Sequence, residues 1–357
     1  MIDTFGVYIH IPFCSRRCDY CAFATWTDRG HLETTYLESV SLEIERAIST
    51  GTLRSATSIF IGGGTPSLVD PERLAKVISL VPVVPGAEVT VECNPESVSA
   101  QHFAAFVNAG VNRISFGVQS MSESVLVSLG RDHRPDTVER AVGLARQGGI
   151  SRLNLDLIYG GAGETIEDWR HTIERIIELG PDHVSAYALT VEAGTPLAED
   201  PARHPNDDDQ ADKYLLADAL LGEAGFANYE ISNWAKPGQE CDHNLLYWRQ
   251  GDYLGFGCAA HSHSSGRRWW NVRTPERYIE LVRAGASVEA SSEELDPERQ
   301  RIEGLQLSLR TREGVPADAL SAEDRETLEP LLKLDGEMLV LNAEGRLLAN
   351  EVAIRLR

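Results

Sequence analysis

Three cysteines, Cys14, Cys18 and Cys21, stand within eight residues, separated by three and then by two positions. Thiolates this close reach one small inorganic centre. In a four-iron, four-sulfur cluster three cysteines leave one iron open, and an open iron holds a substrate or a second cofactor. A three-thiolate zinc site completed by a histidine is the rival. Zinc sites usually pair two such knuckles, however, and the chain has no second one. Three free thiols on a loop is the third reading; free cysteine prefers isolated burial.

These residues need elements to position them. Phe5 to Pro12 reads as a strand running directly into the cysteine loop. Leu32 to Ile48 follows a helical period, and Ser58 to Ile61 is a strand ending in Gly62-Gly63-Gly64-Thr65-Pro66. The alternation continues with strands at Glu88–Cys93, Arg113–Val118, Arg152–Tyr159 and His183–Leu189. Helices are expected near Pro71–Leu80, Ala100–Ala109, Thr137–Arg146, Ile166–Leu179 and Asp209–Gly222. Such alternation predicts an α/β fold of parallel βα units, a full or partial barrel whose chemistry sits at the C-terminal strand ends.

The strands carry a second signal. Tyr8 and His10 share a parity, as do Glu92 and Asn94, then Arg113, Ser115, Gly117 and Gln119, then Asn154 and Asp156. Side chains alternate faces with period two, so each strand sends polar groups to one face, which predicts a polar cavity inside the barrel mouth. The glycine run would let a ligand approach the backbone closely. Beyond about residue 230 aromatics and glycines cluster from Tyr229 to Trp270. Helices near 275–284 and 297–309 follow, then a hairpin around Asn342-Ala343-Glu344, which suggests a small α+β terminal domain.

Asp and Glu outnumber Lys and Arg by 54 to 33, for a net charge of −21 over 357 residues. This acidity disfavours nonspecific binding to nucleic acid or anionic membrane. The start lacks the basic and apolar regions of a signal peptide, and no apolar run is long enough to span a bilayer. Clustered cysteines in such a chain point to metal or redox chemistry, and the expected location is the cytoplasm.

Tyr8-Ile9-His10-Ile11-Pro12-Phe13 ahead of the cysteine triplet resembles the radical S-adenosylmethionine (SAM) enzymes. It is most similar to the branch holding oxygen-independent coproporphyrinogen III oxidase and the HemW-type heme chaperones, and the resemblance covers essentially the whole chain. It implies a radical SAM partial (β/α)6 barrel over residues 1–235 and a smaller α+β C-terminal domain over 236–357. It implies a [4Fe-4S] cluster on Cys14, Cys18 and Cys21 whose open iron binds the amino and carboxylate groups of SAM. In the family an electron from the reduced cluster then cleaves a carbon–sulfur bond of SAM, giving a deoxyadenosyl radical. Tyr8, Tyr20, Gly63, Gly64, Thr65, Glu92, Gln119, Arg131 and Asp156 match SAM-contacting positions, with Ala188 a weaker match. Asp156 would accept from the ribose hydroxyls, and Glu92 and Arg131 would pair with the charged methionine end.

Two departures choose between the branches. The oxidase usually has a fourth cysteine where this chain has Phe23, and a long N-terminal extension before the position of Tyr8. His243-Asn244-Leu245-Leu246-Tyr247-Trp248 is similar to a motif of the heme chaperones, which makes His243 the candidate axial ligand of heme. A buried histidine with Tyr247 and Trp248 as core is the bland alternative. The resemblance thus implies a chaperone that binds heme and passes it to acceptor hemoproteins, respiratory ones among them, and that needs an electron donor. Oxidative decarboxylation of coproporphyrinogen III, a step of porphyrin biosynthesis, is the enzymatic alternative.

Overall fold

A computed structural model describes residues 4–356; the first three residues, on which part of the signal-peptide expectation rests, lie outside that range. The first half alternates β1 (Phe5–Ile11), α1 (Glu33–Ser49), β2 (Ala56–Gly63), α2 (Pro71–Leu80), β3 (Val83–Cys93), α3 (Ala100–Asn108), β4 (Arg113–Gln119), α4 (Glu123–Ser128), α5 (Pro135–Gln147), β5 (Arg152–Tyr159), α6 (Ile166–Glu178), β6 (His183–Ala188) and α7 (Asp207–Glu223). There follow β7 (Ala227–Glu230), β8 (Asn233–Ala235), α8 (Asp242–Trp248), β9 (Asp252–Phe256), β10 (His261–Ser264), β11 (Arg267–Asn271), α9 (Pro275–Arg283) and β12 (Glu289–Glu294). The chain ends with α10 (Pro297–Ser308), β13 (Val315–Pro316), α11 (Ala322–Leu328), β14 (Leu332–Asp335), β15 (Met338–Leu341), α12 (Ala343–Leu347) and α13 (Ala349–Arg355).

Local chemistry sets several boundaries. Asp70 caps α2 by accepting from the Arg73 amide at 2.9 Å, with Pro71 in the first turn where its missing N–H costs nothing. Thr165 and Asp168 form a reciprocal capping box at the start of α6. Gly180, just past its end, takes the left-handed conformation expected there, with φ of 66°.

Strands β1 to β6 run parallel and side by side, and the sheet does not close. Val7, Ile9, Ile11, Val91, Ile114, Phe116, Leu153, Leu155, Val184 and Ala186 fill the face beneath the helices. The opposite parity carries the polar rows, and the register aligns them: Glu92 pairs with Ser115, Ser115 with Asn154, and Asp156 with Ser185. The polar parity read from the sequence is therefore the inner wall of an open barrel.

One sheet of twelve strands runs past residue 235. Strand β9 pairs in parallel with β1, Tyr8 opposite Gly255, and β10 to β12 extend that edge antiparallel. The expected division at residue 235 thus falls inside one continuous sheet. A separate apolar cluster gathers residues 305–356 around Leu305, Leu309, Leu328 and Val352. The expected hairpin around Asn342 is displaced: β14 and β15 form it, and Asn342 instead caps α12 by accepting from the Gly345 amide at 2.8 Å. An asparagine followed by good helix formers makes an N-cap as readily as a turn.

Candidate functional site

The cysteine loop leaves the C-terminal end of β1 and is held at both ends. The Cys14 amide donates to the Trp26 carbonyl at 3.1 Å, and the Cys21 amide to the Cys18 carbonyl at 3.2 Å. Between the cysteines, Asp19 accepts from Arg203 at 2.8 Å. All six cysteines are free thiols, and Cys14, Cys18 and Cys21 are the half-buried ones. Thr65 Oγ1 approaches Cys14 Sγ at 3.8 Å, and Arg131 Nη1 approaches Cys18 Sγ at 3.3 Å. Burial pushes the Cys14 and Cys21 thiols above the usual range. Among the described residues no group of three or more His, Cys, Asp or Glu is arranged to hold a metal ion.

A cavity of about 630 Å³ opens beside this loop. The structure brings together on its walls Cys14, Cys18, Cys21, Tyr20, Gly63, Gly64, Thr65, Glu92, Gln119, Arg131, Asp156 and Ala188. Of the residues expected from the sequence, only Tyr8 and His243 stand outside it. Tyr8 lies one layer down, its hydroxyl donating to His10 Nδ1 at 3.0 Å while His10 Nε2 donates to the Ala24 carbonyl.

The glycines serve the protein's own packing. Gly63 has a φ of 113°, and a Cβ there would meet the His10 ring at 2.5 Å. At Gly64 a Cβ would meet the Phe13 carbonyl at 2.6 Å. Expected to admit a ligand, they also let the second loop nest against the first.

Two carboxylates face each other across the inner wall. Burial raises the Glu92 carboxyl to about 8, with the Asp156 charge adding to the rise and the Gly63 amide opposing it. Burial likewise raises Asp156, against bonds from Ser115 at 2.6 Å and Asn154 at 2.7 Å. Arg131 is spent on Cys18, the Asn94 amide oxygen at 2.9 Å and the Gly117 carbonyl at 3.2 Å, and its Nε has no partner. It forms no ion pair with Glu92. Gln119 sits at a β-bulge against β5 with φ of 66°, strained backbone that turns its side chain into the cavity. Asn94 and Ser115 also line the cavity and were flagged by parity alone.

His243 is placed differently. It lies on α8, which plugs the barrel toward the N-terminal strand ends, and it is 1% exposed. Its Nδ1 bonds Ser58 Oγ and its Nε2 bonds the Tyr247 hydroxyl, each at 2.9 Å, and its ring stacks on Phe60. Burial depresses it to about 3. The cavity it faces holds only about 160 Å³, below the roughly 300–1,000 Å³ of ordinary small-molecule sites. Neither ring nitrogen is free, so ligation of heme by His243 requires α8 to open. Cys241 is equally enclosed, its thiol on Glu88 at 3.3 Å.

A cysteine triplet after the first strand of an open parallel barrel, facing inward carboxylates, defines a radical SAM protein, and residues 8–176 match the family model described as the radical SAM superfamily. The chain is 42% identical over 366 residues to "Heme chaperone HemW" of Mycobacterium tuberculosis, spanning 98% of this chain and 94% of that one. It is 33% identical over 369 residues to the Bacillus subtilis protein of the same name, spanning 97% of each. Its fold matches the coproporphyrinogen III oxidase HemN from Escherichia coli at a TM-score of 0.85 and 22% identity, covering 99% of this chain and 89% of that one. The chain belongs to the family of HemW-type heme chaperones.

Proposed function

We propose that this protein is a heme chaperone on a radical SAM scaffold. It binds a [4Fe-4S] cluster through Cys14, Cys18 and Cys21, SAM in the adjoining cavity, and heme, which it delivers to acceptor hemoproteins. The observation that carries the reading is the convergence of three free thiols, Glu92, Asp156, Arg131 and Gln119 on one cavity of about 630 Å³.

The donor set fits the implied groups. Three thiols on one short loop can ligate iron once the metal displaces their protons, and the Arg131 guanidinium beside Cys18 and the Thr65 hydroxyl beside Cys14 can then bond to the ligating sulfurs. The cluster, when bound, supplies an electron and an open coordination position, and an external electron donor must reduce it. Glu92 and Asp156 offer a negative wall to a cationic ligand such as a sulfonium, and binding would draw both carboxyls back toward ionisation. Tyr20 packs beside Val125 and Leu129, holding its ring at the cavity edge.

The heme part rests on the relatives' names at 33% to 42% identity. Phe23, where the oxidase branch usually has its fourth cysteine, is 68% exposed on the cavity rim and offers no ligand. Among the described residues no helix is long and apolar enough to cross a membrane.

Anaerobic reconstitution with iron and sulfide should give cluster absorbance in the wild type and lose it in Cys18→Ala. Reconstituted protein given SAM, reductant and coproporphyrinogen III should then release no protoporphyrinogen at catalytic turnover. Turnover would replace the chaperone reading with the oxidase.

A further inference from the structure

The geometry points to a heme site in the groove between the cysteine loop and the β9–β12 extension, with His261 as the axial ligand. This rests on the chaperone reading and adds the place where heme sits.

The groove holds about 720 Å³, within the range of small-molecule sites and larger than the His243 cavity. Its walls include Phe23, Tyr253, His261, Trp270 and Arg273. His261 is exposed on β10, and among the described residues neither of its ring nitrogens has a hydrogen-bond partner. Trp270 stands directly opposite it on β11, and the two rings stack at 5.6 Å and 25°. Stacking engages the imidazole's faces and leaves both nitrogens free at its edge. Partial burial lowers the pKa of this histidine, which favours the neutral form that ligates iron. Phe23 and Tyr253 are aromatic walls for a porphyrin plane, and an exposed Phe23 becomes a covered one when the groove is filled. Arg273, exposed and without an ion pair among the described residues, is the cation for a propionate.

The same groove includes Ala22, Phe23, Gly63 and Glu92, which also line the cysteine cavity. Heme held there would therefore adjoin the SAM site. His243, by contrast, has both nitrogens bonded inside the barrel.

Titration of the reconstituted full-length protein with hemin, followed in the Soret band, tests this. Wild type should bind, and His261→Ala should weaken binding at least about tenfold and shift the band, since removing even an outer-shell partner of a metal site costs about 10–100-fold. Added imidazole should restore the band in His261→Ala, a rescue that general misfolding would not allow. Arg273→Ala should weaken binding without moving the band. Wild-type binding with an unchanged band and affinity in His261→Ala would overturn the His261 site while leaving the chaperone reading intact. Absence of heme binding by wild type would overturn both.

Discussion

Arg131 shows how one residue joins the parts of the site. Its guanidinium links Cys18 Sγ, Asn94 and the Gly117 carbonyl, so it ties the cysteine loop to β3 and β4. Hydrogen bonds to sulfur raise the potential of a cluster. Arg131→Met should therefore make the reconstituted cluster harder to reduce, seen as a more negative midpoint in a redox titration. Glu92 makes a second prediction. Its carboxyl ionises at about 8 in the folded chain, against an ordinary value of 4.5. Between those values the unfolded chain loses its proton while the folded one keeps it, so the ligand-free protein loses stability as pH rises from about 4.5 to about 8. Melting of Glu92→Gln should show a flatter pH profile in that window, and wild-type and variant curves that stay parallel would refute the assignment. The cysteine triplet and the polar parities were legible because both depend on spacing along one strand or loop. The like-charge approach of Glu92 to Asp156 was not, since it depends on which strands are neighbours.

At the scale of elements, α8 carries the histidine motif that the resemblance makes a candidate heme ligand, and in the ligand-free fold that histidine is buried between Ser58 and Tyr247. A Cβ on Gly6 would come within 3.1 Å of the His243 ring, so the packing there has little slack. His243→Ala removes a buried ring and strands Ser58 and Tyr247, a loss of about 2–4 kcal/mol in chemical denaturation. It should leave the Soret band of bound hemin in place. A lost band with unchanged stability would return His243 to the role of ligand. A seven-residue helix carries too little periodicity to reveal which side is buried. His261 escaped notice for a related reason: His261-Ser262-His263-Ser264 reads as polar, and only its pairing with β11 sets Trp270 against it.

Across the whole molecule, the parallel strands were legible as a βα alternation, while the twelve-stranded sheet was not. The pairing of β9 with β1 joins residues some 250 positions apart, a contact that no local pattern announces. The cluster within residues 305–356 docks on the barrel through polar ties that include Arg249 with Glu313, Arg312 with Glu240 and the Arg312 amide on the Tyr229 carbonyl. Arg346 reaches across to Asp218 and lies over the Tyr214 ring at 5.7 Å, and Trp234 donates to the same Asp218 at 2.8 Å. Arg346→Ala should loosen this docking by about 1–3 kcal/mol, seen as an earlier phase in denaturant that spares the barrel.

On the proposed reading the molecule carries heme in order to give it away. Reconstituted protein loaded with stoichiometric heme and mixed with an apo-hemoprotein tests this directly. The donor Soret band should decay as the acceptor band rises, faster than free hemin released into the same buffer would allow. A donor that binds no heme, or one whose transfer is no faster than spontaneous release, would contradict it.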